Sequence, residues 1–146
     1  MVFALCGVYF RSMKTIIITL VFGLATLQAI SQNIVGRWKC IAKLVTYEGK
    51  QLDMHAALVK SRPCTANTIY EYLAGGDFKL IITGCDEQYM NAQQKIFGKT
   101  KWKMEGGKLL TSVTKFALSN VYTVSFNGNK MTLTGESGTD IYQRVN

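Results

Sequence analysis

From residue 34 to its end the chain is a succession of short β-prone runs, each closed by a turn rich in glycine or asparagine, and that rhythm leaves no room for layers of long helices. The runs fall near 34-46, 68-74, 77-83, 95-104, 108-115, 120-127, 130-135 and 140-145. Between them stand Gly75-Gly76, Gly106-Gly107, Asn127-Gly128-Asn129 and the segment from Gly135 to Gly138, which supply the positive-φ positions that tight hairpins demand. Eight such strands joined in order fit an up-and-down antiparallel barrel, because closure removes the exposed edges of an open sheet. The expected fold is therefore all-β, an eight-stranded antiparallel up-and-down β-barrel, with one short helix after the first strand.

The first run, Asn33 to Val45, alternates. Trp38, Cys40, Ala42 and Leu44 fall on one face; Arg37, Lys39 and Lys43 fall on the other with Ile41. A period of two suits a strand with one face on a core and one in water. Gly36, lacking a Cβ, lets the backbone approach closely just before the Trp38 indole, so that Gly-x-Trp can plug one end of a closed sheet.

Ahead of this strand the chain carries the anatomy of a secretory signal: Met13-Lys14, a mostly apolar run from Ile16 to Ala25, and small residues suited to cleavage after Ser31. The apolar run is shorter than the ~20 residues of a spanning helix, so no stable membrane anchor is expected. Residues 1-12 lie upstream of a good start at Met13, and Cys6 would leave with the leader. The expectation is residues 1-31 as extension and signal, and 32-146 as one barrel domain that is secreted or periplasmic. Beyond the leader stand fifteen basic residues against nine acidic ones, a net charge of +6 that serves solubility.

After the first strand, Leu52, His55 or Ala56, and Val59 recur near helical spacing until Pro63 stops the run. A helix of two or three turns is expected there, as a lid or plug on one barrel mouth. His55 is the sole histidine, and with no acidic or cysteine cluster beside it in sequence it reads as a surface or packing residue. Two β-rich runs then flank Gly75-Gly76. If these two glycines form the whole loop, cross-strand partners sum to 151, and Cys64 and Cys85 stand about one pair out of register at the open end of one hairpin, near enough to bridge given slack at Gly84 and around Pro63. In an oxidising compartment they are expected to bridge, closing a loop of roughly 20 residues and adding about 3 kcal/mol. Cys40, facing inward, reads as a buried inert thiol.

The order Gly36-x-Trp38, Cys64, Tyr70-x-Tyr72, Gly75-Gly76-Asp77-x-Lys79, Cys85 resembles the lipocalin-like domains of small secreted bacterial proteins. Two positions depart from that pattern: Tyr72 stands where such sequences usually carry Phe, and Ala66-Asn67 replaces an acidic pair common before the aromatic strand. The resemblance implies that Arg144, in Tyr142-x-Arg144 on the last strand, covers the Trp38 indole and shuts the barrel floor.

Asp86 to Gln94 reads as a polar loop, and Ile96 to Met104 as a strand with Ile96, Thr100, Trp102 and Met104 on one face and Phe97, Lys99, Lys101 and Lys103 on the other. Only Phe97 could stack a base on the lysine face, so this is a solvated face and no nucleic-acid partner is expected. No paired Cys-x-x-Cys, histidine cluster, phosphate-cradling glycine loop or nucleophile elbow occurs. The acidic residues are scattered, mostly on strand exteriors or in turns. No catalytic residue, metal or cofactor is expected, and the chain reads as a non-enzyme and a monomer. The functional expectation is a binding protein whose cavity holds a small apolar ligand among Trp38, Tyr70, Tyr72, Phe78, Leu80, Trp102 and Met104. The alternative is a filled core, with the loops at Tyr47 to Arg62 and Asp86 to Gln94 serving as an interaction or inhibitor surface for a protein partner.

Overall fold

The structure, a computed structural model, describes residues 34–146. The leader, its cleavage point after Ser31, residues 1-12 and Cys6 lie outside the described residues.

Strand β1 spans Gly36–Tyr47 and folds back on a short arm, β2, Lys50–Asp53; helix α1, Met54–Ser61, and a 3-10 turn at Pro63–Asn67 follow. Then come β3 (Ile69–Tyr72), β4 (Phe78–Ile81), helix α2 (Glu87–Phe97), β5 (Lys101–Glu105), β6 (Lys108–Ser112), β7 (Asn120–Asn127), β8 (Lys130–Gly135) and β9 (Gly138–Val145). Eight strands follow one another round an antiparallel sheet in the order β4-β3-β1-β9-β8-β7-β6-β5, with β2 attached to β1 alone. The ends of that order meet at one corner, where Asp77 bridges Lys101 and the Trp102 N–H donates to the Gly76 carbonyl at 2.8 Å. The sheet is thus a nearly closed eight-stranded barrel.

The floor is packed solid. Trp38, Ile34, Leu109 and Met131 are fully buried, and Phe126 lies 6.2 Å from the Trp38 ring. The Trp38 indole N–H donates to the Ile34 carbonyl at 2.8 Å, so this buried polar atom is satisfied. Arg144 is the cross-strand partner of Trp38; its guanidinium carbon sits 4.2 Å from the ring centroid, and Nη1 donates to the Val35 carbonyl at 3.1 Å. A cation over an indole face contributes about 1 kcal/mol.

Four details differ from the sequence reading. The β3-β4 hairpin pairs Tyr72 with Phe78 and Tyr70 with Leu80, so partners sum to 150 and not 151. The loop runs from Leu73 to Asp77, held by the Leu73 N–H on the Asp77 carbonyl and the Gly76 N–H on the Leu73 carbonyl. Residues Asp86 to Gln94 are not a loop. Asp86 caps α2 by accepting from the Tyr89 N–H at 2.8 Å, Glu87 and Lys95 suit the helix dipole at its two ends, and the strand that follows begins only at Lys101. Because Phe97 lies in this helix and not in a strand, the expected faces are exchanged: Phe97 packs against the core while Ile96 is exposed.

The fourth difference is a β-bulge in β1 between Cys40 and Ala42: Cys40 pairs with Tyr142 but Ala42 with Ile141. The extra residue, Ile41, reverses the alternation beyond it. Lys43, expected outside, comes opposite Asp140 instead.

Cys64 and Cys85 form a disulfide with Cα atoms 5.3 Å apart. Beside it Arg62 pairs with Asp86 and lies 4.3 Å from the Tyr89 ring centroid. These bonds fasten the first turn of α2 to the 3-10 turn. Farther along α2, the Gln94 side-chain N–H donates to the Leu80 carbonyl on the edge of β4 at 2.8 Å. Helix α2 thus attaches to the side of the barrel where β4 and β5 share only a corner.

Candidate functional site

Part of the barrel interior, beyond the packed residues around Trp38, is hollow. A cavity of about 520 Å³ lies there, within the roughly 300–1,000 Å³ of small-molecule sites. Its inner wall includes Tyr70, Tyr72, Phe78, Leu133 and Tyr142, and Phe97 and Thr100 close it on the α2 side.

The aromatic wall follows from the β3-β4 register. Tyr70 and Tyr72 are two apart on β3 and face Leu80 and Phe78 across the ladder, so all four share the inner face. Tyr72 meets Phe78 edge to face at 5.1 Å, and Tyr70 meets Tyr142 at 5.3 Å. These contacts fix the rings of the wall from two sides. Of the seven residues expected to line a cavity, Tyr70, Tyr72 and Phe78 do so, whereas Trp38, Leu80, Trp102 and Met104 do not. Trp38, Leu80 and Trp102 are buried in the solid core and Met104 packs against it. The difference is not one of strand register, since Trp38 and Leu80 are both ladder partners of the cavity-lining Tyr70. No residue of α1, the helix expected to be a lid or plug on one barrel mouth, lines this cavity. The helix beside the hollow is α2.

The wall also carries polarity that the strand pattern concealed. Asp140 and Lys43 both line the cavity, paired at 3.1 Å. Asp140 was expected on a strand exterior or in a turn; it reaches the inner face because β9 alternates Asp140, Tyr142 and Arg144 inward, and the bulge in β1 brings Lys43 to meet it. No sequence signal marks the bulge, since Ile41 is an ordinary β-branched strand residue. Burial pushes the hydroxyls of Tyr70, Tyr72 and Tyr142 above the ordinary phenol range, with neighbouring tyrosines, the Asp140 carboxylate and, for Tyr70 and Tyr142, Cys40 adding to it. Burial, reinforced by Asp140, also pushes the Cys40 thiol up to about 12. Cys40 lines the cavity as a thiol and not as a thiolate nucleophile.

The mouth is apolar. Ile96, Val113 and Leu118 line it while remaining 57%, 51% and 78% exposed. Val113 and Leu118 belong to the β6-β7 loop, where Lys115 and Phe116 hold positive φ of 53° and 68°. Ser112 organises that loop: its buried Oγ accepts from the Thr114 and Phe116 N–H groups and donates to the Leu118 carbonyl. On its flank Lys103 pairs with Glu105 and lies 4.7 Å from the Phe116 ring centroid, and Lys101 pairs with Asp77, so both lysines have partners within the chain.

Among the described residues no group of three or more His, Cys, Asp and Glu side chains is placed to hold a metal ion, and no helix is long and apolar enough to cross a membrane. His55 sits in α1, where its N–H donates to the capping Asp53 carboxylate at 2.9 Å. Compared with known proteins, the chain matches no family model and no curated sequence.

Proposed function

We propose that this chain is a secreted or periplasmic lipocalin-like binding protein that holds a small hydrophobic ligand inside its barrel. The carrying observation is the 520 Å³ hollow walled by Tyr70, Tyr72, Phe78 and Leu133 in an otherwise solid barrel. The Cys64–Cys85 bridge and the leader-like sequence support an extracytoplasmic site of action. Affinity would come from burying apolar ligand surface at about 25 cal/mol per Å², less the cost of association. An uncharged environment-sensitive dye is expected to bind with about 1:1 stoichiometry. Thr111→Trp, which fills the hollow from β6, is expected to abolish dye binding while thermal unfolding stays cooperative. Undiminished binding by a folded Thr111→Trp protein would place the dye elsewhere and sink the reading.

A second reading has its own observation. Tyr47, Leu52, Met54 and Leu58 are exposed large apolar residues within the stretch that forms the end of β1, β2 and α1. Such a surface suits a protein partner, the role of an interaction or inhibitor module. A partner captured by the wild type and lost after Leu58→Lys, with dye binding absent throughout, would favour it.

A further inference from the structure

Resting on the cavity reading above, we infer that the ligand is an uncharged amphipath whose hydrogen-bonding end, a hydroxyl or carbonyl, is received by Thr100 and the tyrosine hydroxyls, and that the carboxylate of the same skeleton is discriminated against.

Three independent features lead there. First, Thr100 is nine-tenths buried at 8% exposure, lines the cavity, and its Oγ1 is the one buried side-chain polar atom without a hydrogen-bond partner among the described residues. A buried hydroxyl without a partner is unfavourable by about 1–3 kcal/mol; Oγ1 has almost no accessible surface in the hollow, so a ligand oxygen would offset this once rotation about the Thr100 Cα–Cβ bond turns the hydroxyl inward. Second, the same hollow is lined by Tyr70, Tyr72, Tyr122 and Tyr142, far more hydrogen-bonding capacity than a pure hydrocarbon could use. Third, its only charged lining residues are Lys43 and Asp140, which neutralise each other at 3.1 Å. No cation there is left to receive an anion, and the Asp140 carboxylate repels one. The raised phenols report the same field, since burial and Asp140 disfavour negative charge on them. A ligand carboxylate entering this space would be desolvated under the same field.

The test compares 1-decanol with decanoate at neutral pH by displacement of the uncharged dye. Decanol is expected to bind at least about tenfold more tightly than decanoate. Asp140→Asn frees Lys43 and is expected to narrow that gap by strengthening decanoate binding, with decanol little changed. Thr100→Val keeps the shape of the side chain; with the dye's own affinity for that variant measured first, it is expected to weaken decanol about fivefold. Decanoate binding as tightly as decanol to the wild type, or decanol affinity unmoved by Thr100→Val, overturns the inference and leaves the cavity reading standing. Failure of dye, decanol and decanoate alike overturns both.

Discussion

Gly36 holds a φ of +133°, and a Cβ built on it would lie 2.7 Å from Nη1 of Arg144. An alanine there meets two penalties at once, a backbone region that side chains rarely adopt and the guanidinium that covers the indole. Gly36→Ala is expected to lower stability by about 2–3 kcal/mol in urea unfolding. In an Arg144→Ala background the same change should cost about 1 kcal/mol less, because the steric part is gone while the φ strain remains. Strictly additive costs would show that the two residues do not press on each other. Gly36, Trp38 and Cys40 are legible in the sequence because they precede the bulge and obey a period of two. Lys43 is not, because one unpaired Ile41 turns every later side chain of β1 over, and no residue type announces it.

Among the elements, α1 depends on its cap. Asp53 accepts from the main-chain N–H groups of His55 and Ala56, at 2.9 and 3.1 Å, and of Lys43 at 3.1 Å, joining the helix start to β1. Burial acts to raise the Asp53 carboxyl, but these donors outweigh it and hold it below its ordinary 3.8. A carboxyl lowered in the folded state contributes stability that is fully present above the unfolded value and is lost as pH falls through the folded one. Asp53→Asn keeps an N-cap oxygen without that titration, so its stability should fall less steeply below about pH 4 than that of the wild type. Asp53→Ala should lose about 1 kcal/mol at neutral pH. Parallel acid profiles for wild type and Asp53→Asn would rule the linkage out. Helix α1 is readable from its apolar spacing and the following proline, whereas α2 is harder to read, since its half-buried positions Tyr89, Met90, Gln93 and Phe97 set a glutamine within the stripe and none is fully buried. Its sign in the sequence is the cap: Asp86, then Glu87, with Gly98 at the far end. A surface helix fastened by a disulfide, one arginine and Gln94 needs only a thin apolar stripe to stay in place.

On the scale of the whole molecule, Trp102 holds the corner at which the strand order meets itself. Its indole N–H is shared between the Leu73 and Asp77 carbonyls at 3.0 Å each, and its main-chain N–H reaches Gly76. Trp102→Phe retains a ring against Tyr72, 5.7 Å away in the native protein, but loses both indole bonds. The expected result is a Tm lower by about 5–10 °C and concentration-dependent self-association on size exclusion, as the edges of β4 and β5 are released. An unchanged, monomeric variant would show that the corner does not depend on the indole. The strand succession was readable because glycine and asparagine punctuate it; the corner was not, since it rests on a five-residue loop whose register two glycines alone do not define. Away from that corner the wall is parted like an unfastened cuff, for no main-chain ladder joins β4 to β5, and what lies along the parting is a surface helix buttoned to β4 by the Gln94 side chain.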